Sequence, residues 1–172
     1  MRIAIIGFSG SGKSTLARKL GNFYNIPIVH LDSVNFLENW VERPKEQMHE
    51  IVSDFISNND SWVIDGNYSR VAPQRYEQAD LIIYLAYNRF TCLKGVIKRY
   101  KTYKNKTRPD MGKGCNEKLD REFILWVLHN GRTKERKLRN LNIIKNAKKG
   151  LIFKNRRQLK KYLKEIGCNQ WN

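Results

Sequence analysis

The chain has 172 residues, 41% of them hydrophobic, with 33 Lys/Arg against 16 Asp/Glu and a formal net charge of +17. That length suits one domain, residues 1–172, with a proper core, and no stretch approaches the ~18 apolar residues of a membrane span, so no membrane partner is expected. Cys92, Cys115 and Cys168 are scattered, with no C-x-x-C pair, which argues against a zinc site and for free thiols in a reducing, cytoplasmic setting.

Ile3-Ala4-Ile5-Ile6 is a short apolar run, too short for a signal peptide and suited to a strand buried on both faces. Residues 7–15 follow as GFSGSGKST. Gly7, Gly12, Lys13 and Ser14 fill the template G-x-x-x-x-G-K-[ST] of a phosphate-binding loop. Glycines let the backbone curl so that N–H groups point at phosphate oxygens, with Ser9, Gly10 and Ser11 inside the loop. Lys13 is placed to reach the β- and γ-phosphates of ATP, and the Ser14 hydroxyl to ligate Mg²⁺. Thr15 leads into a helix, marked by Leu16, Ala17 and Leu20, whose N-terminus also favours an anion. A chance match in a Gly/Ser turn would not bring strand, glycine loop and helix in this order.

Four more strands are expected at Ile26–Leu31, Trp62–Ile64, Leu81–Ala86 and Leu151–Phe153, separated by helical segments. The alternation indicates an α/β fold, a parallel sheet with helices on both faces. Pro44–Asn58 reads as a helix with Met48, Ile51, Val52, Phe55 and Ile56 on one stripe, and Asn155–Ile166 as the closing helix. Cys92 reads as a small buried hydrophobe on a helix. Isolated His30, His49 and His129 read as structural or solvated residues. Between Arg89 and Ala147 no strand is visible. Arg108-Pro109-Asp110-Met111-Gly112-Lys113-Gly114 breaks the helical pattern, and Glu117–His129 and Gly131–Ile144 are expected to be helices, with Phe123 and Trp126 as packing residues.

A P-loop phosphoryl transferase needs an acid at a neighbouring strand end to help hold Mg²⁺. Asp32 ends the second expected strand and Asp65 the third, and ligands of doubly wound sheets sit at those carboxyl ends. Asp65 is the candidate metal residue and Asp32 the candidate general base facing the acceptor. Asp80 precedes its strand and belongs at the opposite end. Arg99, Arg108, Arg132 and Arg136 are candidates for transition-state and phosphate charge on a mobile basic lid at about 104–140. Arg132 and Arg136 stand four apart, the spacing of one helix face.

The order GFSGSGKST, HLD, WVIDGNY, KTRPDM and GRTK…R resembles that of the DNA topology modulation proteins, a group in the adenylate-kinase-like branch of P-loop proteins. The likeness runs over about residues 1–166. It implies a P-loop NTPase three-layer fold with a five-stranded parallel sheet of order 2-3-1-4-5, a helical lid before the last strand, and ATP with Mg²⁺. Adenylate kinases also carry an arginine soon after the second strand and a D-G-F-P-R run after the third. Here Arg43 is the first arginine after Asp32, and the third-strand segment reads Asp65-Gly66-Asn67-Tyr68-Ser69-Arg70. Arg43 and Arg70 are therefore the candidate substrate cations on a side otherwise poor in them. A hydroxyl acceptor of little charge fits at least as well as a nucleoside monophosphate.

The charge is unevenly spread. Residues 1–88 hold 8 Lys/Arg and 10 Asp/Glu, a net of −2, so residues 89–172 hold 25 and 6, a net of +19. Two readings follow. One is a small ATP-dependent kinase with an unidentified hydroxyl or nucleotide acceptor. The other is an ATP-binding protein that lies along nucleic acid non-specifically through residues 89–172 and affects DNA topology. No dedicated DNA-reading motif is present.

Overall fold

The computed structural model of the protein describes residues 1–168. Five parallel strands, β1 (Arg2–Gly7), β2 (Ile28–His30), β3 (Trp62–Asp65), β4 (Leu81–Leu85) and β5 (Gly150–Phe153), form one sheet of order β2-β3-β1-β4-β5. This is the order that the resemblance implies. The helices are α1 (Lys13–Tyr24), α2 (Leu31–Asn35), α3 (Lys45–Ser57), α4 (Gln74–Gln78), α5 (Arg89–Tyr103), α6 (Arg121–Leu128), α7 (Lys134–Lys145) and α8 (Arg156–Glu165). Among the described residues no helix is long and apolar enough to cross a membrane.

β1 lies between β3 and β4, and Ile3, Ala4, Ile5 and Ile6 are fully buried. A central parallel strand is covered on both faces, which explains its unbroken apolar run. The register pairs Ile5 with Asp65 and Asp65 with His30. One row across the sheet therefore brings the end of β3 beside the start of the phosphate loop. Asp80 lies at the opposite end, where its carboxylate accepts from the backbone N–H of Arg2 at 2.8 Å.

Several boundaries differ from the sequence reading for visible reasons. β2 stops at His30, and the chain turns helical at Leu31, so Asp32 sits in the first turn of α2 and not at the strand end itself. An acid is favoured there by the helix dipole. On α3, Met48, Val52 and Ile56 are buried while Ile51 is 40% exposed, so the stripe is narrower than expected. The helix expected from Glu117 starts only at Arg121, because Asp120 caps it through Phe123 N at 2.7 Å and Glu117 is drawn into buried ion pairs. The helix expected from Gly131 starts at Lys134, capped by Thr133 after a short 3₁₀ turn over Asn130–Arg132. Cys92 is fully buried on α5, and burial pushes its thiol pKa up, as suits a packing residue.

Gly95 stands in the interior of α5, where glycine costs about 1 kcal/mol relative to alanine. The reason is a close approach. A Cβ on Gly95 would collide with the carbonyl of Gly10 in the phosphate loop, and one on Gly10, at φ 75°, would collide with the carbonyl of Cys92. The loop is thus packed directly on the α5 backbone. Gly95→Ala is expected to destabilise the protein by about 1–3 kcal/mol, the usual cost of overpacking, despite the better helix former. Urea unfolding checks this; the gain of about 1 kcal/mol seen at an exposed helical site would contradict the close contact.

Candidate active site

The phosphate loop is shaped by its glycines. Gly10 and Gly12 have φ of 75° and 94°, in the left-handed region that disfavours other residues. Gly12 caps α1 without any side-chain hydrogen bond, so the first-turn N–H groups of that helix have no side-chain cap among the described residues. The Ser11 hydroxyl is buried and has no partner among the described residues. Lys13 Nζ folds back to donate to the Phe8 carbonyl at 3.3 Å. A concave set of donors at a helix N-terminus fits a polyphosphate. Asn67 secures the loop's start: its side-chain oxygen accepts from Gly7 N at 3.1 Å and its amide donates to Gly7 O at 2.8 Å.

Ser14 and Asp65, the residues singled out for a metal, are in contact. The Ser14 hydroxyl donates to Asp65 Oδ2 at 2.9 Å, and the Asp65 side chain is only 4% exposed. Its other oxygen, Oδ1, accepts from His30 Nδ1. Two hard oxygen donors side by side, with the carboxylate oriented by an imidazole, fit a small divalent cation such as Mg²⁺.

The cleft in front of this loop has a volume of about 880 Å³. It gathers Ser9, Lys13, Asp32, Arg70, Arg99, Arg108 and Arg136 from the residues singled out in the sequence. Arg43 and Arg132 do not line it. Arg43 instead donates from Nε to the Val34 carbonyl at 2.8 Å. Arg132 donates to the carbonyls of Val127 and Tyr87 at 2.9 and 3.0 Å and stacks over the Phe8 ring at 3.9 Å. It ends the 3₁₀ turn before α7, so it does not share a helix with Arg136. Arg99 and Arg108 line the cleft already paired with carboxylates, both with Glu117 and Arg108 also with Asp110. They face the cleft as members of ion pairs and not as isolated cations.

Asp32 has a partner that sequence reasoning missed. The Tyr68 hydroxyl donates to Asp32 Oδ1 at 3.0 Å. Burial first, then Asp32 and Glu42, push the Tyr68 phenol far above its ordinary pKa, so it stays a donor. Tyr68 is itself held by Arg75, which is fully buried and donates to the carbonyls of Tyr68, Ala72 and Gly66 at 3.0, 2.8 and 3.2 Å. The acceptor-side wall adds Phe36, Trp40 and Glu42. Trp40 has φ 66°, strained for a bulky residue, and its Nε1 donates to the Asn116 carbonyl of the 104–120 segment at 3.1 Å. Phe123 and Trp126 stack at 6.1 Å; they pack on the core as expected and also line the cleft.

His30, Asn67, Tyr68 and Asp110 are the site residues that the sequence did not reveal. His30 stands beside Asp32 in HLD, and Asn67 and Tyr68 complete DGNY. Their adjacency to a recognised acid was the available signal.

No family model matches the chain. A 76-residue stretch is 37% identical to an ATP-dependent lipid A-core flippase of Haemophilus ducreyi, covering 40% of this chain and 13% of that protein. The chain thus spans about an eighth of that relative's length. Among solved structures, shikimate kinase from Acinetobacter baumannii in complex with shikimate superposes with a TM-score of 0.56 at 13% identity, over 99% of this chain and 95% of that one. Deoxyadenosine kinase from M. mycoides gives 0.53 at 16% identity over 99% and 100%. TT1252 from Thermus thermophilus gives 0.55 at 14% identity over 100% and 98%. At such identities the likeness is one of fold alone, an architecture shared with the two kinases named.

Proposed function

We propose that the chain is an ATP-dependent phosphotransferase that moves the γ-phosphoryl group of Mg-ATP to a hydroxyl acceptor of low charge. The observation that carries this reading is that Lys13 and Asp32 line one cleft while Ser14 and Asp65 meet beside it. The loop N–H groups and Lys13 bind the phosphates. Ser14 and Asp65 are the residues that would hold Mg²⁺, which when bound would offset phosphate charge. Asp32, with one oxygen held by Tyr68, accepts the acceptor's hydroxyl proton through the other. The acceptor oxygen forms a bond to the γ-phosphorus, the bond to the bridging oxygen breaks, and ADP leaves. Arg136, which lines the cleft and lies 5.7 Å from the Trp126 ring, is the candidate for transition-state charge. Aromatic Phe36 and Trp40 beside acidic Asp32 and Glu42 favour an acceptor with a flat apolar part and no phosphate of its own.

Kinases among the structural neighbours support the reaction class, and the names of two of them support a hydroxyl or nucleoside acceptor. The resemblance to DNA topology modulation proteins rests on motif order. A second reading, association with nucleic acid, draws support from Lys94, Lys98 and Lys101, which are exposed around a shallow depression on α5, in a half of the chain with net charge +19. The two readings are compatible.

Lys13→Ala is expected to weaken ATP binding by about 1.5–3 kcal/mol, the value of a charge-assisted contact. Isothermal calorimetry on both proteins measures it, and equal affinities would rule out the phosphate role of Lys13.

Asp32→Asn and Asp65→Asn should separate. In a screen of hydroxyl compounds with γ-labelled ATP, Asp32→Asn is expected to cut transfer by roughly 10²–10⁴-fold with ATP affinity little changed. Asp65→Asn should weaken the Mg²⁺ dependence of ATP binding. Loss of ATP binding in Asp32→Asn as severe as in Lys13→Ala would contradict the assignment.

If lysines of α5 meet nucleic acid, log affinity should fall with log salt at a slope near −0.9 per phosphate contact on duplex DNA, about −4 to −5 for four to six contacts. Fluorescence anisotropy of a labelled duplex over a salt series reads the slope. A flat response would leave these lysines as a solvated face.

A further inference from the structure

Five charged side chains form a continuous chain that runs from the wall of the cleft to α1. Arg99 Nε on α5 donates to Glu117 Oε1 at 2.6 Å, and Glu117 Oε2 lies 2.8 Å from Arg108 Nε. Arg108 Nη1 donates to Asp110 Oδ2 at 3.0 Å, and Asp110 Oδ1 accepts from Arg18 Nη1 at 3.1 Å. Glu117, Arg108 and Asp110 are all buried. Buried charges persist only when each is paired, and signs alternate along the whole chain. Burial acts to raise the Asp110 pKa, yet Arg108, Ser14 and Arg18 outweigh it and hold the carboxyl below its usual range.

The chain joins three parts of the molecule. Arg18 lies one helical turn beyond Ser14 on α1, the helix that presents Lys13. Arg108, Asp110 and Glu117 belong to the 104–120 segment, and Arg99 to α5. Three arginines face two carboxylates, so one positive charge is left over. Arg99 and Arg108 both line the cleft that Lys13 enters.

We propose that Asp110 is a positioning residue that latches the 104–120 segment through Arg18 to the helix that presents Lys13, without any nucleotide, and that the one excess positive charge of the network, where its Arg99 end meets the cleft, seats a polyphosphate. Only the identity of the anion rests on the proposed function; the latch stands on the ion pairs alone. The closed segment is held by internal carboxylates, and an arriving phosphate joins a network already assembled. Opening the segment would break its two outward links, Glu117 to Arg99 and Asp110 to Arg18, and leave both buried carboxylates short of a partner.

Amide hydrogen exchange on the full chain, free of nucleotide, tests the latch. Arg18 is 38% exposed, so Arg18→Gln removes the link without leaving a buried hole. Exchange over residues 104–120 is expected to quicken by about tenfold or more in Arg18→Gln and in Asp110→Asn, the effect of losing one charge-assisted bond, with β1 and β4 still protected. Should Asp110→Asn lose protection in β1 and β4 as well, it is misfolded and Arg18→Gln decides. Unchanged exchange over 104–120 in Arg18→Gln overturns the latch. Inorganic tripolyphosphate is the probe for the seat. It should slow exchange over 104–120 in the wild-type chain, and Arg99→Gln should need a severalfold higher concentration for the same effect. Tripolyphosphate that binds without slowing the segment, or that acts equally on Arg99→Gln, overturns the seat. No acceptor or phosphoryl transfer is read, so failure of the latch and failure of the kinase reading are distinguishable.

Discussion

The parallel register of three strands is the constraint on which the site depends. Ile5 of β1, Asp65 of β3 and His30 of β2 share one row. That row sets Asp65 beside the loop that β1 feeds, within 2.9 Å of Ser14 and against the His30 imidazole. A shift of β3 by one residue would turn its side chains to the other face of the sheet and remove the acid from the loop. Burial of residues 3–6 and of Trp62, Val63 and Ile64 in the apolar core makes such a slip costly. The hydrophobic pattern thus holds a polar contact in place.

Around that row the backbone is tied down in ways that look wasteful for stability alone. Asn67 spends both halves of its amide on Gly7. Arg75, fully buried, spends its donors on three carbonyls of the 66–72 segment and on the Tyr76 hydroxyl at 2.5 Å. A buried guanidinium is expensive and is not needed to fold a loop. Its effect is to hold Tyr68, and through Tyr68 one oxygen of Asp32. Gly95 gives up helix propensity so that the phosphate loop can rest on α5. These features trade stability for fixed geometry at the cleft, which the proposed phosphoryl transfer would need, since its catalysis is mostly positioning and charge.

The basic half of the chain divides into two populations. Some arginines are engaged within the fold: Arg99 and Arg108 by carboxylates, Arg132 by carbonyls and the Phe8 ring. Others, with the lysines of α5 and with Lys160, Lys161 and Lys164 of α8, face solvent. A count of charges along a sequence cannot distinguish the two. Formal charge of +19 over residues 89–172 overstates what a polyanion would meet at the cleft, while leaving a basic outer surface.

Local patterns carried much of the fold and the phosphate end of the site. Glycine spacing and the unbroken apolar run of β1 act through near neighbours, so strand, loop and helix could be read in order, and Lys13, Ser14 and Asp65 stand where that reading put them. The rest needed distant partners. Asp32 lies in a helical turn, and its use depends on Tyr68, 36 residues away. His30, apparently isolated, meets Asp65 only through the strand register. Glu117 leaves an expected helix because two arginines, from α5 and from its own segment, claim it. Asp110 reads as part of a turn, yet it meets an arginine on α1 that is 92 residues away. Ion pairs and side-chain hydrogen bonds across such separations follow from how layers stack, not from periodicity. The sequence therefore determined the sheet, its loop and the candidate phosphate residues, and tertiary packing alone decided which charged groups face solvent and which are ion-paired.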